Sequence, residues 1–195
     1  MKFVNVMLIA LMLVAGAAMA GEKAIDSQNA LPNSDSRGTL AGTLDENSST
    51  YDRIYSGSLS LECASDVVDS GNDGTSLEIF CFQVSDSDPI EMICDPALTT
   101  IGDTYFTIYC DPFDMGNAAA NVVFTDDDGG DGLLSAFLVE DGVTLTVGNT
   151  YFLVVTTYGA GNYGDFSIST SDNIIECGTV ATEMGSWDSL KADYR

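Results

Sequence analysis

The chain has 195 residues, with 30 Asp plus Glu, six Lys plus Arg and no histidine, so its formal net charge at pH 7 is −24. This balance excludes nucleic-acid binding, which needs a cationic surface to displace counterions from phosphates. The lack of histidine excludes a Ser-His-Asp triad, a Cys-His dyad and an imidazole metal site. Because 45% of the residues are hydrophobic, the composition is that of a folded protein rather than of an acidic disordered chain.

Residues 1–20 have the features of a secretory signal peptide. Lys2 gives a positive start, an apolar run extends from Phe3 to about Ala18, and Ala18-Met19-Ala20 is a small-x-small cleavage pattern. An uncleaved membrane anchor is the alternative, but the run is short for a bilayer span. We therefore expect a secreted mature protein, extracellular, at the cell surface or periplasmic, with no membrane span after cleavage.

The remaining chain divides into a polar linker or N-terminal arm over residues 21–40, a body over 41–171 and a tail over 172–195. In the body, short runs rich in Val, Ile, Phe, Tyr and Thr alternate with clusters of Gly, Asp, Asn and Pro. This pattern predicts a single all-β, antiparallel sandwich with one core. The predicted strands are 77–84, 90–94, 104–110, 119–124, 133–139, 143–147, 150–157 and 163–170.

Five cysteines lie in the mature part and are disulfide candidates: Cys63, Cys81, Cys94, Cys110 and Cys177. Disulfides are the expected state of cysteines in an exported protein. Because five is odd, the simplest count is two bridges and one thiol, which is free or pairs with a partner chain. Pairing of Cys94 with Cys110 is favoured, since they flank adjacent predicted strands, and it would stabilise the fold by roughly 3 kcal/mol.

The densest charge lies in residues 126–132, where Asp126, Asp127, Asp128 and Asp131 alternate with glycines. Calcium takes six to eight oxygen ligands, and such a loop can turn several carboxylates inward, so these four aspartates are a candidate calcium site. The loop is not an EF-hand, because Leu138 stands where that motif has its bidentate Glu. The alternative is a solvated acidic turn in which Asp and Gly supply only the turn geometry.

Residues 67–71 have the local appearance of an aspartic-protease motif, centred on Asp69-Ser70-Gly71. That chemistry needs two carboxylates sharing a proton, and the chain has no second Asp-Ser-Gly or Asp-Thr-Gly, although a homodimer could supply one. Residues 69–74 also have a composition that is typical of a turn. A carboxylate-based hydrolase is thus an alternative to which no catalytic residue is assigned.

The tail favours a short amphipathic helix between 181 and 195. Its apolar residues recur at three- to four-residue spacing: Met184, Trp187, Leu190 and Tyr194. Lys191 and Arg195 would suit the negative end of the helix dipole. We favour a helix docked on the sandwich. The alternative is an exposed recognition tail that presents Trp187, Leu190 and Tyr194 for sorting or for attachment to an envelope partner.

Several stretches resemble bacterial pre-peptidase C-terminal (PPC) domains, and the likeness covers roughly residues 41–170. Residues 103–109 with Phe113-Asp114 resemble that family's D-x-Y-L-x-L-Y…F-D strand, and residues 126–135 its N-D-D-x-G loop and G-x-S-x-[IL] strand. Residues 147–155 resemble its L-x-A-G-T-Y-Y-V-x-V strand, and residues 161–168 its final G-x-Y-x-L-x-[IV] strand. Residues 77–84 fit its D-x-Y-x-F-x-V strand, with departures at Leu77 and Glu78.

This resemblance implies a jelly-roll-like sandwich of secreted bacterial and archaeal proteins, usually a non-catalytic accessory to an enzyme. Some members bind calcium or an extracellular polymer. The chain departs from the family in its several cysteines and in carrying no peptidase domain. We therefore expect a non-catalytic secreted or cell-surface module with a structural or binding role, whose partner is an extracellular protein or polysaccharide. A calcium-dependent carbohydrate- or protein-binding module is the alternative, with calcium as the single cofactor considered.

Overall fold

The structure is a computed structural model that describes residues 38–55, 63 and 68–177. The predicted signal peptide, the arm up to residue 37 and the predicted helix between 181 and 195 lie outside these residues. All described residues belong to the compact unit Ser34–Arg195. Within them, no helix is long and apolar enough to cross a bilayer.

The described part is all-β and antiparallel, as predicted, and forms a two-sheet sandwich with an added hairpin. Its strands are β1 Thr39–Leu44, β2 Thr50–Tyr55, β3 Val68–Ser76, β4 Glu78–Val84, β5 Met92–Cys94, β6 Thr104–Cys110, β7 Val122–Asp126, β8 Ala136–Phe137, β9 Tyr151–Thr157, β10 Gly164–Thr170 and β11 Ile174–Glu176. Sheet I has the order β1-β10-β5-β8, sheet II has the order β11-β4-β9-β6-β7, and β2 pairs with β3. Two single-turn 3-10 helices, Met115–Asn117 and Val139–Asp141, connect strands.

The main core lies between the two sheets and follows from period-two alternation along the strands. On β6, Phe106 and Ile108 join the core with β9 residue Leu153 and with Phe166 and Ile168 from β10 of sheet I. Each of these side chains is at most 1% exposed. Full burial of such a side chain is worth about 1.5–3 kcal/mol, so this layer dominates the stability of the sandwich.

The β2–β3 hairpin covers part of the outer face of sheet II as a third layer. Tyr51 and Ile54 of β2 form a second apolar cluster with Tyr109 of β6 and Val154 of β9. This explains why every residue of β6 is buried, on both faces of the strand. A pattern of apolar residues on both faces predicts a central strand, and the hairpin supplies the cover that the second face requires.

Seven of the eight predicted strands overlap observed ones, and the prediction for 104–110 matches β6 in full. The predicted strand 143–147 is wrong. Val143 and Leu145 are buried, but the segment joins no sheet, although the Val143 carbonyl accepts the Ile90 N–H (2.9 Å). Its apolar residues fill the core from an irregular segment, so alternation alone indicated burial and not strand pairing.

The turn interpretation of residues 69–74 is also wrong, because these residues form part of β3. The β2–β3 ladder shifts register on both sides of Arg53, and Gly71 and Gly74 have positive φ angles of 65° and 79°. Glycine adopts such angles at no steric cost, which lets a polar, turn-like sequence continue as an irregular strand.

Two disulfides and one thiol are present, as counted from the sequence, but the favoured Cys94–Cys110 pairing is wrong. The bridges are Cys63–Cys110 and Cys81–Cys177. Cys94 is a buried thiol in sheet I, 3.2 Å from the Thr99 hydroxyl, whereas Cys110 lies in sheet II. Strands adjacent in sequence belong here to different sheets, and therefore their cysteines do not meet.

Candidate functional site

The loop that follows β7 is closed by its own first aspartate. Asp126 Oδ1 accepts the N–H groups of Gly129 (2.9 Å) and Ala136 (2.8 Å), which ties the start of the loop to β8. A β-carbon at Gly129 would lie 2.6 Å from the Ala136 carbonyl oxygen, and one at Gly130 would lie 2.6 Å from that of Leu134. The paired glycines are therefore required for the backbone to pack this closely.

The next two aspartates meet a third one from the start of β6. Carboxylate oxygens of Asp103, Asp127 and Asp128 all lie within 4.8 Å of one another, and we call these three residues the acidic cluster. Ser135 joins the start of β6 to the loop, because its N–H donates to Thr104 Oγ1 (2.7 Å) and its hydroxyl donates to the Asp127 carbonyl (3.0 Å). The cluster is thus built from two separate parts of the chain.

A buried arginine borders the acidic cluster from the hairpin. Arg53 is the only Lys or Arg among the described residues and is 1% exposed. Its guanidinium lies 4.0 Å from the ring centroid of Tyr105 and 4.9 Å from that of Tyr158, and Nη1 donates to the Ile54 carbonyl (3.1 Å). Desolvation raises the pKa values of Asp103 and Asp127, and the positive charge of Arg53 opposes this rise. Desolvated contacts of a guanidinium with aromatic faces are favourable, and this cation partly offsets the carboxylate charge.

Burial and mutual repulsion nevertheless raise the pKa values in the acidic cluster. The pKa of Asp127 rises to about 6, because of desolvation first and then of the charges on Asp128 and Asp103. Desolvation and the Asp128 charge also raise the pKa of Asp103. Asp103 Oδ1 and Asp127 Oδ1 are buried and have no hydrogen-bond partner among the described residues. A buried carboxylate oxygen without a hydrogen bond is more stable when it is protonated or bound to a cation than when it carries an unpaired negative charge.

The structure separates the four aspartates predicted as a calcium site. Asp127 and Asp128 come together in the acidic cluster, Asp126 serves to close the loop, and Asp131 lies exposed outside the cluster. Sequence reasoning missed Asp103 and Arg53. The signal for Asp103 was its position directly before a strand, and the signal for Arg53 was a lone cation within a strongly acidic body.

Other predicted site residues fall outside this region. Trp187, Leu190 and Tyr194 lie outside the described residues, and Asp69 forms part of β3. Comparison with family models, with curated proteins and with solved structures found no match to the chain.

Proposed function

We propose that this protein is a non-catalytic β-sandwich module that is exported and has a structural or binding role outside the cytoplasm. The observation that carries the proposal is the pair of disulfides, Cys63–Cys110 and Cys81–Cys177. Disulfides form and persist in oxidising compartments, and the apolar N-terminal segment has the pattern of an export signal. The resemblance to PPC domains points in the same direction.

The arrangement of the carboxylates supports a non-catalytic role. A cavity of about 360 Å³ lies beside Cys63–Cys110, and one of about 170 Å³ lies between β2 and Met115–Asn117. Each is lined by one carboxylate, Asp111 and Asp52 respectively, and neither by a residue of the acidic cluster. A carboxylate-based hydrolase uses a pair of carboxylates at one substrate, and histidine, the common proton carrier near neutral pH, is absent from the chain.

Export and oxidation can be tested together on the full chain expressed in a bacterial host with its own N-terminal segment. We expect the intact mass of the exported protein to show loss of residues 1–20 and oxidation of four thiols. An Ala20→Leu variant, which removes the small residue before the cleavage point, should keep the longer mass. Cytoplasmic retention with all five thiols reduced would overturn the proposal. Arrays of glycans and extracellular polypeptides then separate a binding role, seen as selective retention, from a structural one.

The acidic cluster favours calcium-dependent binding as a second candidate function. Three carboxylates within 4.8 Å, two of them with buried oxygens that accept no hydrogen bond within the described residues, form part of an oxygen-ligand set. Hard cations such as calcium prefer such ligands. The nearby Arg53 charge opposes a divalent cation, so we expect weak affinity, on the order of 10⁻⁴–10⁻³ M as in extracellular modules.

Calcium titration by calorimetry, with the melting temperature recorded in parallel, tests this candidate. At a calcium concentration tenfold above Kd, the folded protein should gain about 1.4 kcal/mol. Asp128→Asn should abolish the heat and the shift, whereas Asp131→Asn, an equal charge change outside the acidic cluster, should preserve both. No heat at 10 mM calcium, or equal loss in both variants, would remove calcium from the function.

A further inference from the structure

One part of the outer face of sheet II extends beyond the second apolar cluster. Because directly paired residues in an antiparallel sheet share a face, the pairs Ile79↔Val154, Cys81↔Phe152 and Gln83↔Ile175 place their side chains on the same side as that cluster. We define the outer strip as Ile79, Cys81, Gln83, Phe152 and Ile175.

The outer strip is largely apolar and incompletely covered by the described residues. Ile175 is 52% exposed, and Ile79 and Phe152 are only partly buried against the second cluster. The side-chain amide of its one uncharged polar member, Gln83, is already hydrogen-bonded, since Nε2 donates to the Thr150 hydroxyl (3.2 Å). A partly exposed apolar sheet face is stabilised when another amphipathic element packs on it.

The chain itself brings a candidate element to this strip. Cys177 is bonded to Cys81 within the strip, and its N–H donates to the Cys81 carbonyl (3.0 Å). Eighteen residues follow Cys177, so the segment 178–195 begins at the edge of the strip. Neighbouring strands lie about 4.8 Å apart, so the strip is about 10 Å wide across three strands. A helix over the 11 residues 184–194 would be about 16 Å long, and residues 178–183 form the tether that connects it to Cys177.

The segment and the outer strip are matched in their apolar character. The segment carries four apolar residues at helical spacing: Met184, Trp187, Leu190 and Tyr194. Its two cations, Lys191 and Arg195, are outnumbered by three acids, Glu183, Asp188 and Asp193, so its net charge is −1. Net charge therefore does not attract the segment to the acidic body, and apolar contact with the strip drives the docking.

We propose that residues 184–194 dock on the outer strip, positioned by the Cys81–Cys177 disulfide, and cover this face of sheet II. The tether keeps the local concentration of the segment near the millimolar range. Intramolecular docking is consequently favoured over the same contact made by a second copy or by another protein. The inference is independent of the proposed calcium site, which lies on the loops around β6 and β7.

Trp187 is the only tryptophan of the chain and therefore reports on this docking directly. In the oxidised full-length mature protein, we expect blue-shifted emission and acrylamide quenching several-fold weaker than in urea. Ile175→Ser, in the strip, should red-shift the emission and increase quenching at least twofold. Leu133→Ser should change neither, since Leu133 is 51% exposed, closely matching Ile175, but lies between β7 and β8 and outside the outer strip. Circular dichroism confirms that both variants remain folded.

A second variant tests the other partner without touching the described body. Leu190→Ser should expose Trp187 as Ile175→Ser does. The proposal is overturned if Trp187 is as accessible in the native protein as in urea, or if Leu133→Ser has the same effect as Ile175→Ser. It is equally overturned if the blue shift disappears on dilution from about 50 to 1 μM, which would identify a second copy as the occupant.

Discussion

Arg53 combines burial, aromatic contact and charge in a single side chain. Its guanidinium lies against the Tyr105 and Tyr158 rings, and its charge opposes the rise that desolvation causes in the pKa values of Asp103 and Asp127. Lysine would be a poor replacement, because its compact ammonium lacks the planar surface that stacks on rings. The residue thus connects the hairpin to the start of β6 and to the loop that follows β7.

We predict that Arg53→Met lowers the free energy of unfolding by about 2–4 kcal/mol, because it removes the aromatic contact and leaves two carboxylates without their neighbouring cation. The free energy of unfolding of Arg53→Lys should lie between that of Arg53→Met and that of the native protein. Urea unfolding followed by circular dichroism measures both, with Asp131→Asn as a surface-charge control. A loss below about 0.5 kcal/mol for Arg53→Met would show that the contacts contribute little.

Asp127 gives the stability a specific pH dependence. Folding raises its pKa from 3.8 to about 6, so the folded state holds the proton more tightly than the unfolded chain. The associated stabilisation is complete below about pH 3.8 and is lost as the pH rises through 6. The raised pKa values of Asp103, Asp126 and Glu78 act with the same sign.

We therefore predict that Asp127→Asn is more stable than the native protein at pH 7, by on the order of 1 kcal/mol after allowance for solvent screening. The difference should shrink towards pH 4, where Asp127 is protonated in the folded protein. Urea unfolding at several pH values from 4 to 7 measures it. Asp131→Asn removes the same charge, and an identical pH profile for the two variants would refute the assignment.

At the scale of elements, each disulfide joins two parts of the chain that are distant in the sequence. Cys81–Cys177 attaches the three-residue β11 to β4, and Cys63–Cys110 attaches the connection between β2 and β3 to the end of β6. The bridges close segments with sequence separations of 96 and 47 residues. Long closures of this kind restrict the unfolded chain strongly.

We predict that removal of either bridge by paired Cys→Ala substitution lowers the free energy of unfolding by about 4–5 kcal/mol, with the Cys81–Cys177 pair at the upper end. Equilibrium urea unfolding of the two double variants and the native protein provides the comparison. Losses of less than about 1 kcal/mol would mean that the unfolded chain is already restricted without the bridges.

Cys94 should behave as an inert core residue. It is fully buried in β5, its sulfur lies 3.2 Å from the Thr99 hydroxyl, and burial raises the pKa of the thiol. Because the thiolate is the reactive form, iodoacetamide should label no cysteine in the native oxidised protein and one in urea. Mass spectrometry counts the labels, and rapid labelling of the native protein would place Cys94 in a more accessible site.

At the scale of the whole molecule, the carboxylates that produce the net charge of −24 repel one another. The described body has 22 acids and one buried Arg, so little positive charge on its surface compensates them. Screening shortens the range of this repulsion to about 10 Å at 0.1 M ionic strength. We expect the acidity to favour the monomeric state and to weaken the compact fold at low salt.

We predict that raising sodium chloride from about 20 to 200 mM increases the melting temperature by a few degrees, because self-repulsion is screened. Calorimetric scans at constant pH measure the shift. Sucrose at matched osmolality is the control for excluded-solute effects, and an equal shift in sucrose would show that charge screening is not the cause. A constant or falling melting temperature in salt would contradict the prediction.

The sequence determined the features that depend on local pattern. Short runs rich in β-branched and aromatic residues located strands such as β6 and β9, and the Asp-Gly run located the loop after β7. The odd number of cysteines determined two bridges and one thiol. These inferences held because strand period and turn preference act over a few residues, and counting cysteines needs no geometry.

Only the tertiary structure decided which distant segments meet. Residues 68–76 are polar and turn-like, yet they form β3 because the hairpin can cover the second face of β6. That same packing places Arg53 beside Asp103 and Asp127, which lie far apart in the sequence. Cys110 bonds to Cys63 rather than to Cys94 because β5 and β6 belong to opposite sheets. Such contacts arise from burying both faces of one sheet, a requirement that no local sequence pattern expresses.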